Sequence, residues 1–189
     1  MDTSKSPFWH NFFRKQSKFD ERIADLWLKT PLFQKISRKH CQTLVPDMHQ
    51  RSYQDGETIF RQGETGIGSA LILSGQVTIT SHHKTLAELE AGDFFGEVAL
   101  VVDEPRTANA IAKGPTELVF FLRQNLDELT DRYPMDGARL MRNLAGILAT
   151  RLRLSNEAIS KVLPSEAVSS DQGSAADTSS QTPEGSSNG

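Results

Sequence analysis

The residues best suited to chemistry lie together between Phe95 and Ala108, in the order Phe-Gly-Glu-Val-Ala-Leu-Val-Val-Asp-Glu-Pro-Arg-Thr-Ala. Gly96 lacks a Cβ atom, so the backbone can approach a ligand closely there. Residues 97–101 can form about one helical turn, whose first amides have no carbonyl partner and can face an anion. Arg106 adds a permanent charge and a planar set of donors that matches two phosphate oxygens. The segment therefore predicts a site for one small phosphate group.

A plainer interpretation of Arg106 is a surface ion pair with one of the acids just before it, Asp103 or Glu104. Exposed ion pairs contribute only about 0–1 kcal/mol. Hydrogen bonds from an arginine to a phosphate contribute roughly 1.5–3 kcal/mol each. The binding interpretation is favoured because the phosphate contact contributes more, and the ion pair stays the alternative.

The segment Phe95–Ala108 resembles the phosphate-binding cassette of the cyclic nucleotide-binding domain family, and it is called the cassette below. This family provides the sensor domains of catabolite activator proteins and of protein kinase A regulatory subunits. Residues 55–66 resemble the first hairpin of the family, residues 71–79 resemble the next strand pair with Gly75 at its turn, and residues 89–97 lead into the cassette. The resemblance covers residues 32–163.

The resemblance implies a ligand site with residues from the cassette and from the long C-terminal helix: Phe95, Gly96, Glu97, Val98, Ala99, Arg106, Thr107, Ser155 and Asn156. Backbone amides and Arg106 would hold the cyclic phosphate, and Glu97 would accept a hydrogen bond from the ribose 2′-hydroxyl. Thr107 would reach the phosphate or a guanine amino group. Ser155 and Asn156 fall near the position that contacts the purine in relatives, although two solvent-facing helix residues would be an equally good interpretation.

The chain divides by composition into a helical, a strand-rich and a second helical zone. Residues 1–46 show helical spacing, while residues 51–122 contain short β-rich runs at 69–74, 76–80, 108–113 and 116–122. Helices are predicted at residues 125–133 and 135–163. The expected fold is mainly β with flanking helices (α+β), a jelly-roll barrel with N-terminal helices and a long C-terminal helix. The expected domains are a helical extension at 1–31, the cyclic nucleotide-binding domain at 32–163 and a polar tail at 164–189.

Three segments outside the cassette bear on partners. The polar tail has almost no apolar residues and is expected to be disordered. The aromatic and basic run Phe8–Lys15 could contact a membrane surface or a partner, but packing on the chain's own barrel is favoured. One face of the predicted 135–163 helix carries apolar residues without an obvious intramolecular partner, which predicts a homodimer: Leu140, Leu144, Ile147 or Leu148, Leu154 and Ala158.

Other classes of function are not favoured. The net charge of −3 gives no reason to expect nucleic-acid binding, and no helix-turn-helix follows the long helix. The single cysteine, Cys41, allows no internal disulfide, and no secretory signal is apparent, so a cytoplasmic protein is expected. The pair His82-His83 is interpreted as a hairpin tip rather than a metal site. No catalytic constellation stands out, so neither an enzyme nor a cofactor is expected.

These patterns lead to one main hypothesis and two alternatives. The main hypothesis is a stand-alone regulatory protein that senses cAMP or cGMP and signals through a protein partner or a dimer rearrangement. The first alternative is a degenerate fold that acts as an interaction or dimerisation scaffold. The second is a sensor of another phosphate ligand, such as cyclic di-GMP.

Overall fold

The computed structural model describes residues 7–162, and the side chains of residues 18–160. The elements in chain order are helices α1 (Pro7–Lys29) and α2 (Arg38–Leu44), strands β1 (His49–Tyr53), β2 (Thr58–Phe60), β3 (Gly68–Ser81), β4 (Lys84–Glu90), β5 (Phe94–Phe95) and β6 (Asn109–Leu122), and helices α3 (Arg123–Arg132) and α4 (Pro134–Val162). Short 3₁₀ helices span Val45–Asp47 and Glu97–Leu100, and the second is called the cassette helix. The chain forms two compact units that divide after Arg153, so the last turns of α4 belong to the second unit.

The strands form an antiparallel sheet in the order β1-β6-β3-β4. Strand β2 pairs with β6, and strand β5 pairs with β3. His82 and His83 both have positive φ angles between β3 and β4, which confirms the predicted hairpin tip. The sheet and its flanking helices confirm the expected mainly β, jelly-roll class of fold. The expected domain boundaries stay predictions.

The prediction of four short strands at 69–74, 76–80, 108–113 and 116–122 is wrong, because each pair is one continuous strand. Ser74 pairs with Glu117 and Gln76 pairs with Lys113, so residues 114–116 of β6 lie opposite Gly75 alone. Gly75 has a φ of +85°, and a Cβ atom there would lie 2.4 Å from the Pro115 carbonyl oxygen. This glycine therefore bends a strand pair at a bulge instead of reversing the chain in a hairpin.

Both faces of the first half of strand β3 are buried, in two separate cores. Ala70 and Ile72 pack inside the sheet with Phe95 and Leu118. Leu71 and its neighbours on the opposite face pack against the helices. This alternation follows from the period of two along a strand, and it fixes β3 firmly in register.

Three aromatic rings join the N-terminal helix to the sheet. The ring centroids of Trp27 and Phe33 are 5.1 Å apart, those of Phe33 and Phe121 are 5.1 Å apart, and those of Trp27 and Phe121 are 5.8 Å apart. All three side chains are fully buried. Rings at these tilted and edge-on geometries contribute about 0.5–1.5 kcal/mol per pair beyond the burial of their area.

The apolar face of α4 has an intramolecular partner over its first half, which corrects the sequence interpretation. Leu140 and Leu144 are fully buried in the helix-side core, and Ile147 and Leu148 pack partly buried against it. The side chain of Asn143 adds hydrogen bonds of 3.0 and 2.8 Å to backbone carbonyls of residues 32 and 34. Only the later part of the predicted seam is exposed, so the reason given for a dimer holds for that part alone.

Some expectations fall on residues that are not described. The side chains of Phe8–Lys15 on α1 lie outside the described residues, as does the tail at 164–189. Among the described residues, none of the helices combines the length and the hydrophobicity that a membrane span requires.

A buried carboxylate, that of Asp136, joins the first turn of α4 to the start of α2. Asp136 Oδ2 accepts a 3.0 Å hydrogen bond from the Ser37 amide and lies 2.8 Å from His40 Nδ1, whose ring stacks on Tyr133. Arg139 donates to Asp136 Oδ1 at 2.8 Å. Burial alone would raise the pKa of Asp136, but the hydrogen bonds from Ser37, His40 and Arg139 outweigh it and hold that pKa below its usual range.

We expect Asp136→Asn to lower the free energy of unfolding at pH 7 by roughly 1.5–3 kcal/mol, because an amide cannot replace a carboxylate with charged partners. A lowered folded-state pKa means that the stabilisation is complete above the unfolded-state pKa and is lost as pH falls through the folded-state value. The free energies of unfolding of wild type and variant, measured in urea, should therefore begin to converge as the pH falls below about 5. Asp131→Asn, at an exposed position on α3, serves as the control and should change little. A difference that stayed constant down to strongly acidic pH would contradict this assignment.

Candidate functional site

Gly96 links strand β5 to the cassette helix in a conformation that favours glycine. Its φ angle is +76°, and it is the N-cap of the Glu97–Leu100 helix, without any side-chain cap. A Cβ atom at this position would lie 2.6 Å from Nη1 of Arg106. The backbone conformation therefore favours a glycine here, and any larger residue would also displace the end of the Arg106 side chain.

The guanidinium of Arg106 lies directly beside that turn. Arg106 donates to the Gly96 carbonyl oxygen at 2.9 Å and to the Gly68 carbonyl oxygen at 2.8 Å. Its Cζ lies 4.1 Å from the centroid of the Phe60 ring. The side chain is half-buried, so the predicted cation faces the start of the cassette helix rather than bulk water.

The charge of Arg106 is only partly compensated. Burial lowers its pKa, while the acidic groups of Glu97 and Glu64 act in the opposite direction. Since an arginine keeps its proton in proteins, the group stays a cation. Among the described residues, nothing accepts a hydrogen bond from its buried Nε. A half-buried cation with a free N–H group is a site that an anion would stabilise.

Asp103 takes part in a different interaction from the ion pair that the sequence left open. Its carboxylate lies 3.5 Å from Nη2 of Arg123, whereas the guanidinium of Arg106 bonds to backbone carbonyls. The geometry of Arg106 thus favours the anion-site interpretation over the surface ion pair.

Glu97 is fully buried, and its two carboxylate oxygens differ. Oε1 accepts a 2.6 Å hydrogen bond from Nη1 of Arg151 on α4, whose own side chain is 51% exposed. Oε2 is buried and has no hydrogen-bond partner among the described residues. A buried carboxylate oxygen without a donor is costly, and a ligand hydroxyl would satisfy it.

The remaining cassette residues have unequal access to a ligand. Phe95 is buried, with its ring 5.8 Å from that of Phe60, and Ala99 is also buried. Val98 is 38% exposed, and Thr107 is exposed. The Ala99 amide donates to the Gly96 carbonyl at 3.3 Å, so this amide has a partner within the turn, contrary to the sequence expectation that the first amides are free.

Ser155 and Asn156 are exposed on the terminal turns of α4. These turns belong to the second compact unit, and the purine contact of the two residues stays a prediction.

Sequence reasoning missed four contributors to the site: Phe60, Gly68, Arg123 and Arg151. Gly68 contributes a carbonyl oxygen and Phe60 a ring face, and neither leaves a local signal in sequence. Arg151 had one visible trace, since it interrupts the apolar face of the long helix. Arg123 carries no signal, because its partners are backbone carbonyls that lie 21 or more positions away.

A groove of about 610 Å³ lies between α4, Phe94 of β5 and the segment after α1. Arg142 and Arg151 line it together with Ile147 and Pro31. Among the described residues, no group of three or more His, Cys, Asp or Glu side chains is placed to hold a metal ion.

Comparison with known proteins agrees with this geometry. Residues 50–133 match the cyclic nucleotide-binding domain family. A cyclic AMP receptor protein from Thermus thermophilus is 34% identical over 129 residues, which cover 66% of this chain and 58% of that protein. A cGMP-dependent protein kinase from Caenorhabditis elegans is 37% identical over 115 residues, which cover 57% of this chain and 15% of the kinase.

The fold agrees as well. A cyclic nucleotide-binding domain from Methylobacillus flagellatus superposes with a TM-score of 0.66 at 25% identity, over 80% of this chain and 88% of that one. The match to each of the two curated relatives covers less than two thirds of that relative's length. The cassette, its half-buried arginine and these similarities agree: residues 50–133 of this chain belong to the cyclic nucleotide-binding domain family.

Proposed function

We propose that this protein is a regulatory protein that binds cAMP or cGMP at the cassette and acts by binding rather than by catalysis. The observation that carries the proposal is the half-buried Arg106, placed at the N-terminal end of the cassette helix with its Nε unpaired. A cyclic phosphate carries one negative charge and presents exocyclic oxygens, so it would satisfy this cation without a second positive group.

The ribose would be held by Glu97. Its Oε2 is buried and unpaired, and its Oε1 is already fixed by Arg151, so the carboxylate is oriented before a ligand arrives. A 2′-hydroxyl that donates to Oε2 would remove the cost of the unpaired oxygen. Preorganised acceptors of this kind increase affinity because little freedom is lost on binding.

The same carboxylate links the ligand to helix α4. Arg151 joins α4 to Glu97 by a 2.6 Å charged hydrogen bond, and its side chain is otherwise half exposed. A ligand that withdraws electron density from the Glu97 carboxylate, or that moves this carboxylate, would change the strength of its hydrogen bond to Arg151. The orientation of α4 would then respond to ligand, to the extent that the ligand binds two orientations with different affinity.

The base remains a choice between adenine and guanine. Thr107 is exposed beside Arg106 and supplies one hydroxyl, and Ser155 and Asn156 are candidates on α4. The two curated relatives described above are named for cyclic AMP and for cGMP, respectively. We therefore propose both nucleotides as ligands, with the signal passed to a protein partner or through a dimer.

The dimer would use the terminal part of α4. Leu152 is 63% exposed, Leu154 is 53% exposed and Ile159 is 57% exposed, although they are large apolar side chains. Leu154 and Ala158, the later residues of the predicted seam, are both exposed and four positions apart, which places them on the same side of the helix. A second copy of α4 with the same row of residues would cover them.

We expect cAMP or cGMP to raise the melting temperature of the wild-type protein, because a ligand that binds only the folded state stabilises it, by about 2.7 kcal/mol at 100 times Kd. Arg106→Ala should abolish the shift, and Arg106→Lys should retain part of it, since lysine keeps the charge but not the planar donor set. Calorimetric titration with cAMP, cGMP and cyclic di-GMP measures the affinities. Arg61→Ala removes a nearby arginine that is 68% exposed, and it should leave binding unchanged.

Two outcomes of that titration would contradict the proposal. Saturation by cyclic di-GMP alone would indicate a sensor of another phosphate ligand. Binding of none of the three nucleotides, by a folded wild-type protein, would leave the scaffold function.

We expect the wild-type protein to prefer cAMP or cGMP over its 2′-deoxy analogue by about tenfold or more, since a hydrogen bond to a charged group contributes roughly 1.5–3 kcal/mol. Glu97→Gln should remove most of this preference while the phosphate contact remains. Competition titrations with each pair of ligands measure the ratio. Glu88→Gln, at an exposed strand position paired with Lys113, is the matched control. An unchanged ratio in Glu97→Gln would exclude Glu97 from the ribose contact.

We expect Leu154→Asp combined with Ala158→Asp to convert a dimer into a monomer that still folds, because both side chains are exposed within one chain. Leu144→Asp should instead unfold the protein, since Leu144 is 1% exposed in the core. Light scattering across a range of concentrations gives the mass of each variant. A wild-type protein that stayed monomeric at every concentration would disprove the dimer.

A further inference from the structure

Arg123 is the first residue of α3, and its side chain returns to the end of the cassette helix. Its Nε and Nη2 donate to the Ala99 carbonyl oxygen at 3.1 and 3.0 Å. Its Nη2 also donates to the Val102 carbonyl oxygen at 2.9 Å and approaches the Gly66 carbonyl oxygen at 3.5 Å. One guanidinium thus contacts three backbone carbonyls from two separate segments.

Arg106 contacts the same two segments at their other ends. Arg106 bonds to Gly96, at the start of the cassette helix, and to Gly68. Arg123 bonds to Ala99, near the end of that helix, and its backbone amide donates to the Ile67 carbonyl oxygen at 3.0 Å. The distance between residues 66–68 and the cassette helix is therefore fixed by two arginines, one at each end.

The two arginines differ in what they leave for a ligand. Arg123 has its Nε and Nη2 committed to carbonyls, and Asp103 lies 3.5 Å away to offset its charge. Arg106 has an unpaired Nε. Carbonyl oxygens at the end of a helical turn carry partial negative charge, which Arg123 compensates. Arg123 is thus suited to hold backbone in place, and Arg106 is suited to bind the anion.

We infer that Arg123 is a positioning residue for nucleotide binding, one that holds the cassette helix and residues 66–68 in the register that Arg106 requires. When a phosphate arrives, the donors of Arg106 are shared between the ligand and the Gly96 and Gly68 carbonyls, and the bonds from Arg123 keep the two segments together. Because Arg123 begins α3, the state of the cassette is also linked to that helix. This inference rests on the proposed function, since its ligand is the same nucleotide.

The test compares Arg123→Lys and Arg123→Ala with the wild-type protein by calorimetric titration with cAMP and cGMP. A lysine keeps the charge but cannot bond to several carbonyls with a planar group, so both variants should bind about five- to thirtyfold more weakly. Arg132→Ala removes another α3 arginine, one that pairs with Glu128 on the exposed surface, and should bind like wild type. Each variant's melting temperature without ligand reports on folding, and Arg123→Lys serves if Arg123→Ala does not fold.

A double-mutant cycle separates positioning from a general loss of structure. If Arg123 acts through Arg106, the losses of affinity in Arg123→Lys and Arg106→Lys are not additive in the double variant. Hydrogen exchange of residues 97–102 without ligand should also become faster in Arg123→Lys than in Arg132→Ala.

The outcomes distinguish this inference from the proposed function. A wild-type protein that binds neither cAMP nor cGMP overturns both. A wild-type protein that binds, with Arg123→Lys binding equally tightly or with strictly additive losses in the cycle, overturns only the role of Arg123.

Discussion

The half-buried charge of Arg106 is the constraint on which the site depends. A cation can be taken out of water only if nearby groups replace the lost hydration. Here two backbone carbonyls, from Gly96 and Gly68, and the face of the Phe60 ring supply part of that replacement. The buried Nε without an acceptor among the described residues marks the part that is not supplied. The protein holds a charge whose compensation is incomplete, and this is the physical basis of the proposed anion site.

The sheet explains how these groups come together. Gly68 is the first residue of β3 and pairs with Leu122, at the end of β6. A Cβ atom at Gly68 would lie 2.4 Å from the Phe121 carbonyl oxygen, so close strand contact fixes the position of the Gly68 carbonyl. Strand β5 pairs with β3 at residues 70 and 71 and delivers Gly96 beside it. The register of three strands therefore determines the distance between the two carbonyls that Arg106 spans.

The helices α3 and α4 connect the cassette to the rest of the fold. Arg151 of α4 is bonded to the buried carboxylate of Glu97, and Arg123 of α3 is bonded to carbonyls at the end of the cassette helix. At its other end, α4 is fixed by Asp136 and by two buried leucines, Leu140 and Leu144. A helix that is anchored in the core at one end and bonded to a buried carboxylate of the cassette further along couples the cassette to the helix-side core. Each link is a charged hydrogen bond, so its strength depends on the charge of the group that it contacts.

The amino-acid sequence was enough to predict the class of fold and to locate the cassette. Gly96, Glu97 and Arg106 have side-chain properties that are local, and their spacing in one short segment is visible without a structure. The groups that surround these three residues in space depend on the fold. The partners Phe60, Gly68, Arg123 and Arg151 come from distant strands and helices, and backbone carbonyls carry no residue-type signal. The same reason explains two errors: Gly75 has the composition of a turn but lies in a bulge set by β6, and Leu144 has the spacing of an exposed seam but is covered by the core. Glycine preference and apolar spacing are local properties, whereas pairing and burial depend on contacts between segments far apart in the chain.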